Sequence, residues 1–323
     1  MKFSSVRLNQ LEQAMKREKI TSCLVYQRNG IALEYFKNKK NANKLFQVHS
    51  VTKSVLSIAL GIAMEEGVVG GTQTPISRYL PEVESAKEQV TIGHLLTMTP
   101  GFHWPEWEAW GGRPFPMISS TDWVKFVLER KMDLQPGHKM IYNSGASHVL
   151  SAILQSVTGQ KTSAYAEEKL FAPLGIQEYR WYEDSKRISI GGFGLCLRTE
   201  DMLKLGLLMM KNGVWDGKPI VSGSWVDRST AAYYHTYDKW GSYGYHWWVL
   251  ADEMRRPYDP KIFFAMGYGG QYIIVCPELQ IVVVFTSELC RDTTRPLQLF
   301  KAHLLDSMLE AAGTYRGPLY RYS

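Results

Sequence analysis

From the amino end, apolar positions fall at Val6, Leu8, Leu11, Ala14 and Met15, the spacing of one face of a helix over residues 5–19. Two short runs rich in β-branched and aromatic residues follow, TSCLVYQ and IALEYF. Arg28-Asn29-Gly30 between them predicts a β-hairpin. The pattern changes again in HSVTKSVLSIALGIAMEEGVV, residues 49–69, where Val51, Val55, Leu56, Ile58, Leu60 and Ile62 cover nearly every side of a helix. A helix apolar on so many sides is buried. From about residue 70 to 235 turn signals dominate, among them Pro100-Gly101, Pro136-Gly137 and Gly191-Gly192. Helical periodicity stands out there in SHVLSAILQSV and EDMLKLGLLMMKNG, the second ending on a glycine. Strand character returns in YGYHWWVL, KIFFAMGYGGQYIIVCP and QIVVVFTSE, whose short links favour antiparallel neighbours, and LQLFKAHLLDSMLEAAG closes the chain as an amphipathic helix.

Strands at both ends with helices between them predict an α/β (α+β) fold: one antiparallel β-sheet flanked by helices, with an inserted, mostly helical lobe. The expected boundaries are an α/β lobe from about 1–62 and 236–323 and a helical lobe from about 63–235, together one two-lobed domain. The 323 residues are 45% hydrophobic and 21% charged, enough for a sizeable core. The net charge of +6 is scattered without a basic stripe, which argues against a nucleic-acid partner. No apolar run reaches membrane-spanning length, since Glu65 and Glu66 close off the best candidate, so no membrane partner is expected. The opening MKFSSVRLNQLEQAMKREKI lacks the apolar core of a secretory signal, and a cytoplasmic location is expected. Cys23, Cys196, Cys276 and Cys290 lie far apart with no C-x-x-C spacing, which predicts buried thiols; no metal or organic cofactor is implied. Oligomeric state is left open.

Within the apolar helix, Ser50, Lys53, Ser54 and Ser57 form one narrow stripe. A lysine held in a core loses part of its preference for the charged form, and a neutral amine one turn from a hydroxyl is a usable base. At a helix start the Ser50 N–H is also unpaired and could meet a substrate oxyanion. The same spacing fits an N-cap serine followed by a snorkelling lysine. Other nucleophile, zinc and phosphate-loop motifs are absent, and His49 next to the serine is a lesser candidate. Tyr142, between Pro136-Gly137 and the SHVLSAIL helix, offers a second proton-handling group, with a nearby lysine favouring its ionised form. Gly267, Gly269 and Gly270 interrupt a strand, either as a bulge beside something bound or as a hairpin turn, and a main-chain N–H there, at Met266, is a candidate second oxyanion donor.

Taken in order, Ser50-Val51-Thr52-Lys53, HLLTMTPGFHW, PGHKMIYNSG…LSAILQSVTG, GGFGLCLRTEDMLKLGLLMMKNGVWDGKPIV and GYGGQYIIVCPELQIVVVFTS resemble the serine β-lactamase-like hydrolases. That group includes class C β-lactamases, D-alanyl-D-alanine peptidases, family VIII carboxylesterases and nylon-oligomer hydrolases. The resemblance implies Ser50 as the acylated nucleophile, Lys53 as its proton partner and Tyr142 as general base or acid. Two departures point to the esterase and amide-hydrolase branch: Tyr142-Asn143-Ser144 replaces the usual Tyr-x-Asn, and Phe263–Gly267 carries no cation where relatives have Lys-Thr-Gly or a histidine version. Ser144, Gly267, Tyr268 and Trp110 are then expected to line the substrate site, Trp110 with Trp104 and Trp107 forming either an apolar pocket or packing between lobes. The expected partner is a small ester or amide. β-Lactamase or peptidase activity, and a catalytically silent binding protein of the same fold, are the alternatives.

Overall fold

The structure, a computed structural model, describes residues 3–237, 240–252, 254–288 and 292–314. Its frame is an eight-stranded antiparallel sheet drawn from both ends of the chain. We number its strands β1 (Ile20–Gln27), β2 (Gly30–Phe36), β3 (Tyr234–His235), β4 (Ser242–Tyr243), β5 (Trp248–Val249), β6 (Phe263–Gly267), β7 (Gln271–Cys276) and β8 (Ile281–Ser287). Their spatial order is β2-β1-β8-β7-β6-β5-β4-β3. The hairpin closes as the Asn-Gly signal predicts: Gln27 pairs with Gly30 across Arg28 and Asn29, and Arg28 takes a left-handed φ of 60°. β1 is held on its other side by β8, Cys23 opposite Phe285 and Val25 opposite Val283.

The pleat divides the apolar residues between two cores. Val282 and Val284 of β8 and Ile273 and Val275 of β7 face a core shared with α2 (Val51–Glu65), α3 (Ser144–Thr158) and α4 (Thr199–Met210). Their neighbours Val283, Phe285, Ile274 and Cys276 face a second core with α1 (Ser5–Lys16) and the closing helix, which runs as Arg295–Phe300, a π-turn at Lys301–Leu305 and Asp306–Ala312. Because both faces are covered, IVVVFTS reads as a continuous apolar run. Every residue of α2 from Val51 to Ala63 is buried, in keeping with its all-round apolar pattern. Gly61 sits inside that helix because the Trp225 indole lies on it, where a Cβ would collide with the ring.

One expectation changes, and of two alternatives left open one is observed. YGYHWWVL is two short strands, β4 ending at Tyr243 and β5 starting at Trp248. Gly244 is pressed against the Ser229 carbonyl, and His246, with a left-handed φ of 62°, sends its N–H to the Leu96 carbonyl at 3.0 Å. The glycines of GYGG form a hairpin turn closed by the Gly267–Gln271 pair, and the backbone approach at Gly267 is to the chain's own Val48 carbonyl. Cys23, Cys196 and Cys276 are buried free thiols, while Cys290 lies outside the described residues. No helix among the described residues is long and apolar enough to cross a membrane.

Candidate active site

Three segments converge at the start of α2. His49, directly before Ser50, has a left-handed φ of 47°, a costly backbone for a residue with a Cβ and one that marks a tightly determined turn. Ser50 itself precedes the first helical turn, and its side chain makes no capping hydrogen bond, so the capping alternative fails. Its hydroxyl instead lies 3.1 Å from the Lys53 amine and is hydrogen-bonded to the Tyr142 side chain. No acceptor among the described residues takes the Ser50 N–H.

Lys53 is 1% exposed. Its amine donates to the Gly192 carbonyl at 2.7 Å and lies 3.1 Å from the Ser144 hydroxyl. The Gly191-Gly192 turn permits this approach: at Gly192 a Cβ would lie 3.5 Å from the Lys53 amine and 3.0 Å from the Ser144 carbonyl oxygen. Burial lowers the Lys53 pKa from its ordinary value to about 8, with the Glu106 carboxylate opposing the fall. The two histidines that feel Lys53 stay neutral. His49 is pushed down to about 4 by burial, then by Arg113 and Lys53. His246 is pushed down to about 3, by burial first and then by Lys53.

Tyr142 is fixed by the Ile141 N–H, which donates to the Met98 carbonyl at 2.9 Å, and by Asn143, whose side chain caps α3 at the Ala146 N–H. Its ring stacks with Trp248 and lies tilted by 52° against Trp107, with centroids 6.1 and 5.6 Å away. The expected ionised tyrosine is corrected. Burial, then the Glu106 charge, push the hydroxyl far above its ordinary pKa, and the Lys53 amine sits over the ring face, 4.8 Å from its centroid. Burial therefore favours the neutral Tyr142 hydroxyl.

Glu106 was not legible as a site residue. Only 2% exposed, it accepts from the Ser144 hydroxyl at 2.7 Å, the Ser144 N–H at 2.8 Å and the Trp104 indole N–H at 2.7 Å. Burial raises its pKa, while Lys53 and these donors pull the other way. Ser144, expected to bind substrate, has its hydroxyl committed between Glu106 and Lys53. Two acids, Glu106 and Glu108, interleaved with three tryptophans were the available signal, since a buried carboxylate needs partners.

Ser50 opens into a cavity of about 720 Å³ whose walls include His49, Glu106, Ser144 and Tyr268 and, on the apolar side, Phe46 and Phe193. Arg113, Phe115 and Ile118 stand at its rim. Trp110 is not part of the cavity wall. It packs edge-on against Trp104 with centroids 4.9 Å apart, and so belongs to the support of the loop. Met266 lies in β6, paired with Tyr272, one residue before the Gly267–Val48 contact.

A family model described as Beta-lactamase matches residues 11–296. The 6-aminohexanoate-dimer hydrolase of Paenarthrobacter ureafaciens is 22% identical over 315 residues, 90% of this chain and 78% of that protein. Esterase EstB of Burkholderia gladioli is 27% identical over 173 residues, 48% and 43% of the two chains. Among solved structures, the octameric penicillin-binding protein homologue from Pyrococcus abyssi superposes with a TM-score of 0.72 at 19% identity, over 94% of this chain and 77% of that one. EstCE1, described as a hydrolase with promiscuous acyltransferase activity, gives 0.73 at 17% identity, over 92% and 97%. These structures share the fold.

Proposed function

The chain is a hydrolase of the beta-lactamase family, and on that footing we propose that it cleaves small ester or amide substrates through an acyl-enzyme on Ser50. The observation that carries this reading is the 3.1 Å approach of a buried amine to a hydroxyl that opens into a cavity. Lys53, with its pKa lowered to about 8, has an accessible neutral form that takes the Ser50 proton as the oxygen attacks the substrate carbonyl. The Ser50 N–H, and a second N–H at Met266, receive the oxyanion of the tetrahedral intermediate. Tyr142 passes its hydroxyl proton to the departing alcohol or amine. The Tyr142 oxygen then takes a proton from the water that attacks the acyl carbonyl, the acid leaves, and the Lys53 ammonium returns a hydrogen to Ser50, 3.1 Å away. The net reaction is ester or amide plus water to acid plus alcohol or amine.

The aromatic lining by Phe46 and Phe193 suits an apolar acyl or alcohol portion. The absence of a cation on Phe263–Gly267 weighs against penicillin-type substrates. The test is turnover of p-nitrophenyl acetate and butyrate, and of a chromogenic cephalosporin, by the wild type and Ser50→Ala, with intact-mass analysis after brief exposure to a fluorophosphonate. Ester turnover and a single adduct, both lost in Ser50→Ala, are expected. Cephalosporin turnover as fast as ester turnover would move the assignment to a β-lactamase, and no Ser50-dependent adduct would leave the protein a silent member of the family.

A further inference from the structure

The hydrogen atoms around Lys53 can be counted, and the count singles out Glu106. The Gly192 carbonyl can only accept, so one Lys53 N–H is committed to it at 2.7 Å. One Glu106 oxygen takes two obligate donors, the Ser144 N–H at 2.8 Å and the Trp104 indole N–H at 2.7 Å. The other oxygen lies 2.7 Å from the Ser144 hydroxyl. An ionised carboxylate has no hydrogen to give, so the Ser144 hydroxyl must donate to it. The Ser144 oxygen is then left to accept, and the partner 3.1 Å away is the Lys53 amine. A neutral amine has two hydrogens and one lone pair. With both hydrogens committed, to Gly192 and Ser144, the lone pair faces its third neighbour, the Ser50 hydroxyl at 3.1 Å.

We propose that Glu106 is a positioning residue: acting through Ser144, it sets the direction of hydrogen bonding so that the lone pair of Lys53 is reserved for the Ser50 proton. The inference rests on the acyl-enzyme reading and deepens it. Lys53 is the cation that faces Glu106, and the Tyr142 and Tyr237 hydroxyls also feel its charge. Without the carboxylate the two serines compete for one lone pair.

Glu106→Gln reverses the arrangement with almost no change in shape. The two obligate donors fix the amide oxygen on their side and turn the amide NH2 toward the Ser144 oxygen. Ser144 then receives a hydrogen there and directs its own at the Lys53 lone pair, leaving the Ser50 proton without an acceptor. The experiment is a double-mutant cycle on acylation, read as kcat and KM for p-nitrophenyl acetate and as the rate of fluorophosphonate labelling, with thermal melts of each variant. Glu106→Gln should lower kcat and the labelling rate about a hundredfold with little change in KM, the size expected for a misdirected proton transfer. Ser144→Ala should lose only about tenfold, because the lone pair can still turn to Ser50. Adding Glu106→Gln to Ser144→Ala should cost less than about threefold, so that the double variant is faster than Glu106→Gln alone.

Equal cost of Glu106→Gln in both backgrounds would overturn the proposal, since Glu106 would then act independently of Ser144 by its charge or by holding its loop. Near-wild-type rates in Glu106→Gln would also overturn it. If Glu106→Gln fails to fold, Ser144→Ala decides: a loss of a thousandfold rather than about tenfold makes Ser144 an obligatory proton carrier and sinks the inference. Labelling that survives Ser50→Ala instead removes the acyl-enzyme reading itself, a separate result.

Discussion

Gly267 and Val48 touch through their backbones, two residues ahead of Ser50 on one side and at the end of β6 on the other, with no room for a methyl group between them. This contact sets the strand end beside the start of α2. Gly267→Ala drives a Cβ into the Val48 carbonyl oxygen, and backbone must move to relieve it. The expected cost is about 2 kcal/mol in urea unfolding, typical of overpacking. Ester turnover should fall about a hundredfold, the scale set by removing one oxyanion donor. Wild-type values in both measurements would refute the role given to this contact.

Lys53 predicts a pH profile. With its pKa lowered to about 8, the neutral amine builds up as pH rises through that value. Acylation should climb tenfold per pH unit below it and level off above, so labelling at pH 6 should be about a hundredfold slower than on the plateau. The linkage to stability has a definite sign. A base whose folded pKa is depressed destabilises the fold below that pKa, and the penalty is relieved as pH rises from about 8 to the ordinary 10.5. Relative to Lys53→Met, the wild type should therefore gain up to about 3 kcal/mol over that window. A flat difference between the two proteins would contradict it.

The Asp184 carboxylate lies 3.0 Å from His148 Nε2 with both side chains fully buried. Burial pulls the Asp184 carboxyl up, but His148 and the N–H groups of Ile188 and Lys186 more than offset this and hold it below its ordinary value. Asp184→Ala should cost about 3 kcal/mol at pH 7, the low end for breaking a buried pair. A depressed carboxylate stabilises above its unfolded pKa and loses that contribution as pH falls, so the gap between wild type and variant should narrow below about pH 4. A cost under about 1 kcal/mol would make the pair incidental.

Arg113 places its guanidinium 5.1 Å from the Tyr268 ring centroid at the cavity rim, and no carboxylate among the described residues pairs with it. A carboxylate on the substrate would meet it. Arg113→Ala should raise KM for a p-nitrophenyl monoester of glutaric acid about fivefold relative to the butyrate ester, within the range of exposed ion pairs, and salt should mimic the change. An unchanged KM ratio would remove Arg113 from substrate selection.

The parts of the site that the sequence exposed are those whose chemistry conflicts with their surroundings. A lysine in a helix buried on every side has few explanations, and the turn glycines around Tyr142 limit where that residue can lie. Glu106 escaped because its partner Ser144 is 38 residues away, and nothing periodic in the chain encodes that contact. The ionised state expected of Tyr142 failed for a related reason. Proximity to Lys53 could be inferred, but not that the amine sits over the ring face while burial dominates at the hydroxyl. The strands at both ends were legible from their runs of β-branched and aromatic residues, whereas the break in YGYHWWVL depends on a close approach of Gly244 to the distant Ser229 carbonyl.

β1 lies between β2 and β8, so a strand made within the first thirty residues completes its pairing only with Ile281–Ser287. During synthesis, Ser50, Lys53, Glu106 and Tyr142 all leave the ribosome well before the strands that shelter them. The nascent chain therefore carries its most apolar helix without that platform until residues 281–287 have been made, an interval in which exposed apolar surface favours aggregation.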